Sequence, residues 1–442
     1  MRTKCLILFL VLFGWGMVQA QEGKIDFVSY NLPNGMHVIL HQDNTTPIVA
    51  VTITYHVGSK NEKADRTGFA HFFEHLMFEG SDNIARGEYE KLTQNAGGQL
   101  NANTSFDRTF YYELLPSNQL ELGLWMESER LFHLKLDSVG VETQRGVVKE
   151  ERKQSYDNRP YGSIVEQVFS HSFKEHPYRW TPIGSAQYID QASISEFIDF
   201  HNTYYVPENA TLSLAGDLDI EKAKQIIDKY FSGIPRGVKP IVRPTLVEPP
   251  QTAEIRDTVY DNIQLPAVIQ AYHMPAQGTD DYYALNMLTT LLSDGESSRM
   301  TKSIVDKQQK AVYLGSFPFA LEDPGLFLVF GIVNMGVDPK ELEVAVNAEI
   351  AKAQNEDMSD SEFQKLRNKM ENEFVTRNST MAGIAESLSN YYVYFGDANL
   401  INTEINRYMK VTKADIRRVA NQYLTKQNRV VLYYLPKTSA QK

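Results

Sequence analysis

Two hydrophobic periods alternate along this chain. Apolar residues recur at every second position, or in short unbroken runs, in GMHVIL (35–40), IVAVTITYHV (48–57), TFYYELLP (109–116) and ATLSLAGD (210–217), and these predict strands. Helical spacing predicts helices near 67–79, 117–132, 137–156, 192–203 and 220–231. The same mixture returns further on, with strands in AVIQAYHM (267–274), GLFLVFGIV (325–333) and RVVLYYLP (429–436) and helices near 279–293, 338–354, 359–390 and 412–424. Strand pairs followed by helices predict an α+β sandwich rather than a doubly wound parallel sheet. The similar element order of the two halves suggests a duplicated domain, although the residues themselves show no strong repeat.

The halves meet at SGIPRGVKPIVRPTLVEPPQ, residues 232–251, whose five prolines forbid a regular helix and predict an extended linker. Roughly 420 mature residues also exceed what one hydrophobic core supports. The expected division is a first domain over 21–235, a linker over 236–255 and a second domain of similar fold over 256–442.

The start of the chain changes the picture of where it works. MRTKCLILFLVLFGWGMVQA places Arg2 and Lys4 before a short apolar core that ends in small residues at Ala20. This reads as a cleaved secretory signal over 1–20, with the mature chain beginning at Gln21. No later run is long and apolar enough to span a membrane. Cys5, the only cysteine, leaves with the signal, so a metal on the mature chain must sit on His, Asp or Glu. Cleavage also removes two basic residues and no acidic one, leaving 42 basic against 55 acidic residues, a net charge of −13. Such a balance argues against nucleic acid and anionic membrane surfaces as partners.

One short stretch carries chemistry. TGFAHFFEHLMFEGS (67–81) sets His71 and His75 four apart, on one face of a predicted helix, where two imidazoles can share one ion. Glu74 sits beside that face, placed to hold a water without being a ligand. The order HxxEH is the inverted zinc-peptidase motif. With only 10 histidines in 442 residues, a chance match is on the order of one in a hundred from composition, so a third ligand is needed. A carboxylate is the expected type. The run 138–158, capped by Asp137 or Ser138, supplies one: Gln144, Val147, Val148 and Glu151 share a helical face whose valines would turn it inward, while Glu150 points elsewhere.

GFAHFFEHLMFEGS, GGQLNANTSFDRTFYYELLP (97–116), QRGVVKEERK (144–153) and YYVPENATLSLAGDLD (204–219) follow one another as in the pitrilysin and insulinase-type zinc peptidases. The chain resembles their two-domain branch, which includes the mitochondrial processing peptidase subunits and bacterial peptidases, over nearly its whole mature length. The resemblance implies two homologous α/β-sandwich domains forming half of a clam shell. It also implies one Zn²⁺ per chain on His71, His75 and Glu151, with Glu74 as general base. Glu151 stands 76 positions after His75, the family's spacing, and this selects it over Glu150. The stretch from 97 matches the edge strand that receives substrate by β-augmentation, with Asn101 and Ala102 at the cleft; Phe106, Phe110 and Tyr111 carry that expectation less.

Two departures matter. Gln144 stands where the family commonly has a glutamate supporting the site, so the surroundings of the metal are tuned differently. In the second half Tyr313 matches a substrate-contacting tyrosine, but Asp306 stands seven before it in place of arginine, and Arg299 matches a different, structural position. The family's chamber needs four such domains and this chain has two, so a dimer is implied. The missing arginine favours a heterodimer with a related subunit bringing Arg and Tyr, with a homodimer as the alternative. The function implied is an exported endopeptidase for unstructured peptides, periplasmic in preference to secreted, set against a non-catalytic assembly or scaffold subunit of the same fold. His56, His133, His171, His176 and His201 show no comparable spacing and read as structural or exposed.

Overall fold

A computed structural model describes residues 24–437. The segment read as a signal lies outside the described residues, and among them no helix is long and apolar enough to cross a membrane. The first half contributes strands β1 (Val28–Asn31), β2 (His37–Gln42), β3 (Ile48–Tyr55), β4 (Gln99–Thr104), β5 (Thr109–Pro116) and β6 (Ala210–Gly216). Its helices are α1 (Phe69–Leu76), α2 (Glu88–Asn95), α3 (Leu120–Phe132), α4 (Ser138–Arg152), α5 (Ile164–Ser172), α6 (Ala186–Gln191), α7 (Ile194–Tyr204) and α8 (Ile220–Phe231). The second half has β7 (Ile255–Asp261), β8 (Ala267–His273), β9 (Ala311–Phe319), β10 (Leu326–Val333) and β11 (Arg429–Pro436). Its helices are α9 (Asp280–Ser293), α10 (Pro339–Asn355), α11 (Asp360–Arg377), α12 (Met381–Phe395), α13 (Leu400–Thr403), α14 (Ile405–Lys410) and α15 (Lys413–Tyr423).

The sheets run β1-β2-β6-β3-β5-β4 and β7-β11-β8-β10-β9. Apart from β1 they have one plan: β2 pairs parallel with β6 as β7 does with β11, and the remaining neighbours are antiparallel. The α+β expectation therefore holds, and the duplication left open by the residues is plain in the topology. In this correspondence β4 and β9 are the matching free edges.

The two halves exchange covers. In the first sheet Val38, Leu40, Val51, Ile53 and Leu214 face one core with α1, α3, α7 and α8, while Ile39, Ala50 and Ala215 face α12 of the second half. That second face is lined with small groups, and Thr54 donates to Ser389 of α12 at 2.9 Å, so the helix lies close to the sheet. Reciprocally, Val168 and Phe169 of α5 cover Ile269, Leu328 and Leu432 of the second sheet. Central strands buried on both faces read as unbroken apolar runs, which is why β3, β6 and β8 were legible.

Charge reinforces the seam. Lys60, nearly buried, meets Asp107 at 3.0 Å, Glu322 at 2.5 Å and Asp323 at 3.1 Å. His56 reaches Glu322 at 2.9 Å, His176 reaches Asp323 at 3.4 Å and His171 reaches Asp257 at 3.0 Å. Three of the five histidines read as structural are thus bridges between halves. The residues from 238 to 254 contain neither helix nor strand, as their prolines demand. The run expected as one helix over 359–390 is two, because Thr380 caps a fresh start by accepting from the Gly383 amide.

Candidate metal centre

Helix α1 is amphipathic in its packing. Phe69, Phe72 and Phe73 stack against Phe197 and Phe200 of α7, with ring centroids 4.5–5.9 Å apart, which fixes the rotation of the helix and leaves His71 and His75 on its other side. Its entry is tight: Gly68 has φ +96°, and a side-chain carbon on Gly184 would collide with the Gly68 backbone, so two glycines let the 181–185 loop cross the helix start. The buried Glu62 carboxyl accepts from the amides of Gly68 at 2.9 Å and Ala70 at 2.8 Å at the positive end of the helix, and burial outweighs these bonds to push its pKa up to about 8.

Helix α4 brings the third group. Asp137 caps it, accepting from the Gly140 amide at 2.8 Å. Its inward residues are Val141, Gln144, Val148 and Glu151; Val147, expected on that face, is instead 45% exposed, because a helical turn carries it to the side. Glu151 Oε1 lies 3.6 Å from His71 Nε2 and its Oε2 3.2 Å from His75 Nε2. One donor atom from each of the three residues lies within 4.8 Å of the others, the only such grouping among the described residues. Glu150 faces Lys153 and Gln154 on the outer side.

The electrostatics suit a cation. Burial, together with the neighbouring His75, pushes the His71 imidazole down to about 4, so it is neutral with a lone pair available. For His75 burial opposes the charged ring, but the hydrogen bond and charge of Glu151 outweigh it and raise the pKa. Glu151 is lowered by its hydrogen bond to His75, and burial raises Glu74. Two imidazoles and a carboxylate converging from two helices match in type and number the protein ligands that zinc takes in a three-ligand site.

Around this set the structure adds groups that the sequence did not single out. Thr104, at the end of β4, donates to Glu74 Oε2 at 2.6 Å. Gln144 meets His75 Nδ1 at 3.2 Å and donates to Glu79 Oε1 at 2.5 Å. Both had a faint signal: Thr104 is two residues from Ala102 on the same strand face, and Glu79 is four after His75. Asn101 and Ala102 lie on β4, the outer edge of the first sheet, and the Ala102 amide is taken up by the Asn101 side chain at 2.9 Å. Phe110 and Tyr111 lie on β5, and Phe106, in the turn between these strands, belongs to the core between the halves. Tyr313 lies on the other free edge, β9, half exposed and 5.8 Å from the Phe330 ring. Among the described residues it makes no hydrogen bond to the His71, His75 and Glu151 group. Asp306 sits in the helical turn Thr301–Lys307 before β9, and Arg299 is paired with Glu362 at 3.0 Å, a structural placement.

Comparison with known proteins agrees with this geometry. Residues 37–183 match the family described as insulinase (peptidase family M16), and residues 191–370 match the peptidase M16 inactive domain. The zinc protease PqqE of Helicobacter pylori is 30% identical over 97% of this chain and 96% of its own. An uncharacterized zinc protease of Bacillus subtilis, YmxG, is 21% identical over 91% and 97%. Among solved structures, a protease from Helicobacter pylori superposes with a TM-score of 0.89 at 29% identity, covering 93% of this chain and all of that one. The periplasmic protease PqqL of Escherichia coli shares the fold with a TM-score of 0.75 at 18% identity, and the match takes up 94% of this chain but 49% of that one.

Proposed function

This chain belongs to the insulinase (M16) family of peptidases, and from that premise we propose that it is an exported zinc-dependent endopeptidase acting on unstructured peptides. The observation that carries the reading is the convergence of His71, His75 and Glu151 with Glu74 beside them. Bound at these three residues, zinc would supply Lewis-acid chemistry, lowering the pKa of a water and polarising the scissile carbonyl. Glu74 takes the proton of the attacking water and delivers it to the leaving amine. Thr104 holds the Glu74 carboxylate by one oxygen and leaves the other for that proton. An extended peptide laid along the free edge β4, past Asn101 and Ala102, would be bound through its backbone, which suits loose sequence preference.

The working unit in this proposal is a dimer. A PqqL chain is about twice the span matched here, which supports a shell built from two such units. With Asp306 in the place of an arginine, the favoured arrangement is a heterodimer whose second subunit brings Arg and Tyr, and Tyr313 of this chain lies on the equivalent edge. A homodimer working without that pair is the alternative, and light scattering with pull-down from the native organism separates them. The apolar start of the chain and the periplasmic neighbour support export to the periplasm.

A second reading is a non-catalytic assembly subunit, favoured by the match of residues 191–370 to a domain described as inactive. The intact first-half residues weigh against it, since a scaffold has no physical need of them. The test is hydrolysis of a mixed quenched-fluorescent peptide set by the purified protein with zinc supplied, with Glu74→Gln as the blank. Cleavage above the blank supports the peptidase. A protein that binds no zinc favours the assembly subunit, and bound zinc without cleavage points to a missing partner.

A further inference from the structure

Glu79 lies at the end of the zinc-site helix segment, four residues after His75, and is nearly buried at 7% exposure. One of its oxygens accepts from Arg86 Nε, and Arg86 Nη2 donates to Asp137 at 2.8 Å, the residue that caps α4. The other accepts from Gln144 Nε2 at 2.5 Å. Gln144 Oε1 in turn faces His75 Nδ1 at 3.2 Å, and His75 Nε2 faces Glu151.

We propose that Glu79 is a positioning residue for the metal centre: its carboxylate sets the direction of the Gln144 amide, and through it the tautomer of His75. An ionised carboxylate only accepts hydrogen bonds, whereas an amide has one donating and one accepting end. With Glu79 on one side, the opposite amide orientation would press two acceptors together at the 2.5 Å separation seen here, so the NH₂ group turns to Glu79 and the oxygen to His75. Nδ1 of His75 must then carry the hydrogen, which leaves the Nε2 lone pair on the side of Glu151. The relay also accounts for glutamine at 144: a glutamate there would set two carboxylates against each other. Here the negative charge behind the site is held one residue further back, between Gln144 and Arg86.

This inference rests on the zinc reading above, and zinc affinity tests it without reference to turnover. Competition against a chromogenic zinc chelator is measured for the wild type, Glu79→Gln, and the double exchange Glu79→Gln with Gln144→Glu. Glu79→Gln should weaken zinc by about 10–100-fold, the usual effect of losing an outer partner of a ligating histidine, because the amide introduced in place of the Glu79 carboxylate can meet either end of the Gln144 amide. The double exchange should recover most of that loss, since a carboxylate at position 144 accepts both from His75 Nδ1 and from the new amide. Both variants carry the same neutral group opposite Arg86, so recovery cannot come from that ion pair. Wild-type affinity in Glu79→Gln, or a double exchange as weak as Glu79→Gln, overturns the relay alone. A wild-type protein that takes up no zinc overturns the zinc reading and the relay together.

Discussion

Thr104 donates its hydroxyl to Glu74 at 2.6 Å, tying the last residue of the free-edge strand β4 to the carboxylate that stands between His71 and His75 on α1. The strand on which a peptide would lie and the group that would move its protons are thus one hydrogen bond apart. Removing a bond to a charged group costs about 1.5–3 kcal/mol. Thr104→Val should therefore lower kcat for peptide hydrolysis on the order of 10- to 100-fold with little change in KM, and Thr104→Ser should restore it. Equal losses in both variants would assign Thr104 to packing instead.

Glu74→Gln keeps the size of the side chain and removes its basicity. Metal content should stay at the wild-type level while turnover falls by roughly 10²–10⁴, the usual share of a general base. Metal analysis and the peptide assay on the same preparation check both halves, and a variant cutting at the normal rate would remove Glu74 from the mechanism.

Glu150 and Glu151 are neighbours in sequence and differ in direction. Glu151→Gln should weaken zinc binding by more than the roughly 10–100-fold that outer partners contribute, and Glu150→Gln, whose carboxylate faces Lys153, should leave it unchanged. Chelator competition reads both.

The seam between the halves should loosen in acid. The hydrogen bond from His176 and the charge of Lys60 hold Asp323 at about 2. For Glu322 burial works the other way, but His56 and Lys60 outweigh it and bring it also to about 2. Folded values below the ordinary carboxylate range mean that the stabilisation is fully present above about pH 4.5 and is lost as pH falls towards about 2. The Tm of the wild type should drop across that window, and Glu322→Gln should flatten the drop. Parallel curves would show that these carboxylates do not govern the seam.

Leu388 of α12 is fully buried against the first sheet. Leu388→Ala should cost about 2–5 kcal/mol and should lower one shared unfolding transition rather than that of the second half alone. Calorimetry distinguishes the two.

The elements legible in the sequence were those whose burial is strong on at least one face. IVAVTITY and ATLSLAG announce central strands; QLNANT (β4), polar at every second position and half-buried between, is readable as an edge strand only through the resemblance, and IRDTVYD (β7), at the other sheet's edge, shows no clear apolar alternation to read. The polar helix α2 was missed for the same reason, and α5 because its apolar face is completed only by the other half. At the site, His71, His75, Glu74 and Glu151 were readable from spacing and resemblance, and Gln144 was flagged as a departure. What Gln144 does was not readable, since its partner Glu79 reaches it only once α1 and α4 are docked. Thr104 likewise meets Glu74 through sheet register, which no local pattern records.

The exchanged helices also set an order of events. Ile39, Ala50 and Ala215 all lie in the first half of the chain, yet the helix that covers them begins at Met381, so during synthesis the face they share has no cover until nearly the whole chain has followed. The first half, with His71, His75 and Glu151 already in it, lacks the cover of one sheet face until then. The second half, whatever its part in chemistry, acts as the first half's last folding step, and a chain truncated before Met381 should emerge as a sticky intermediate rather than as a smaller enzyme.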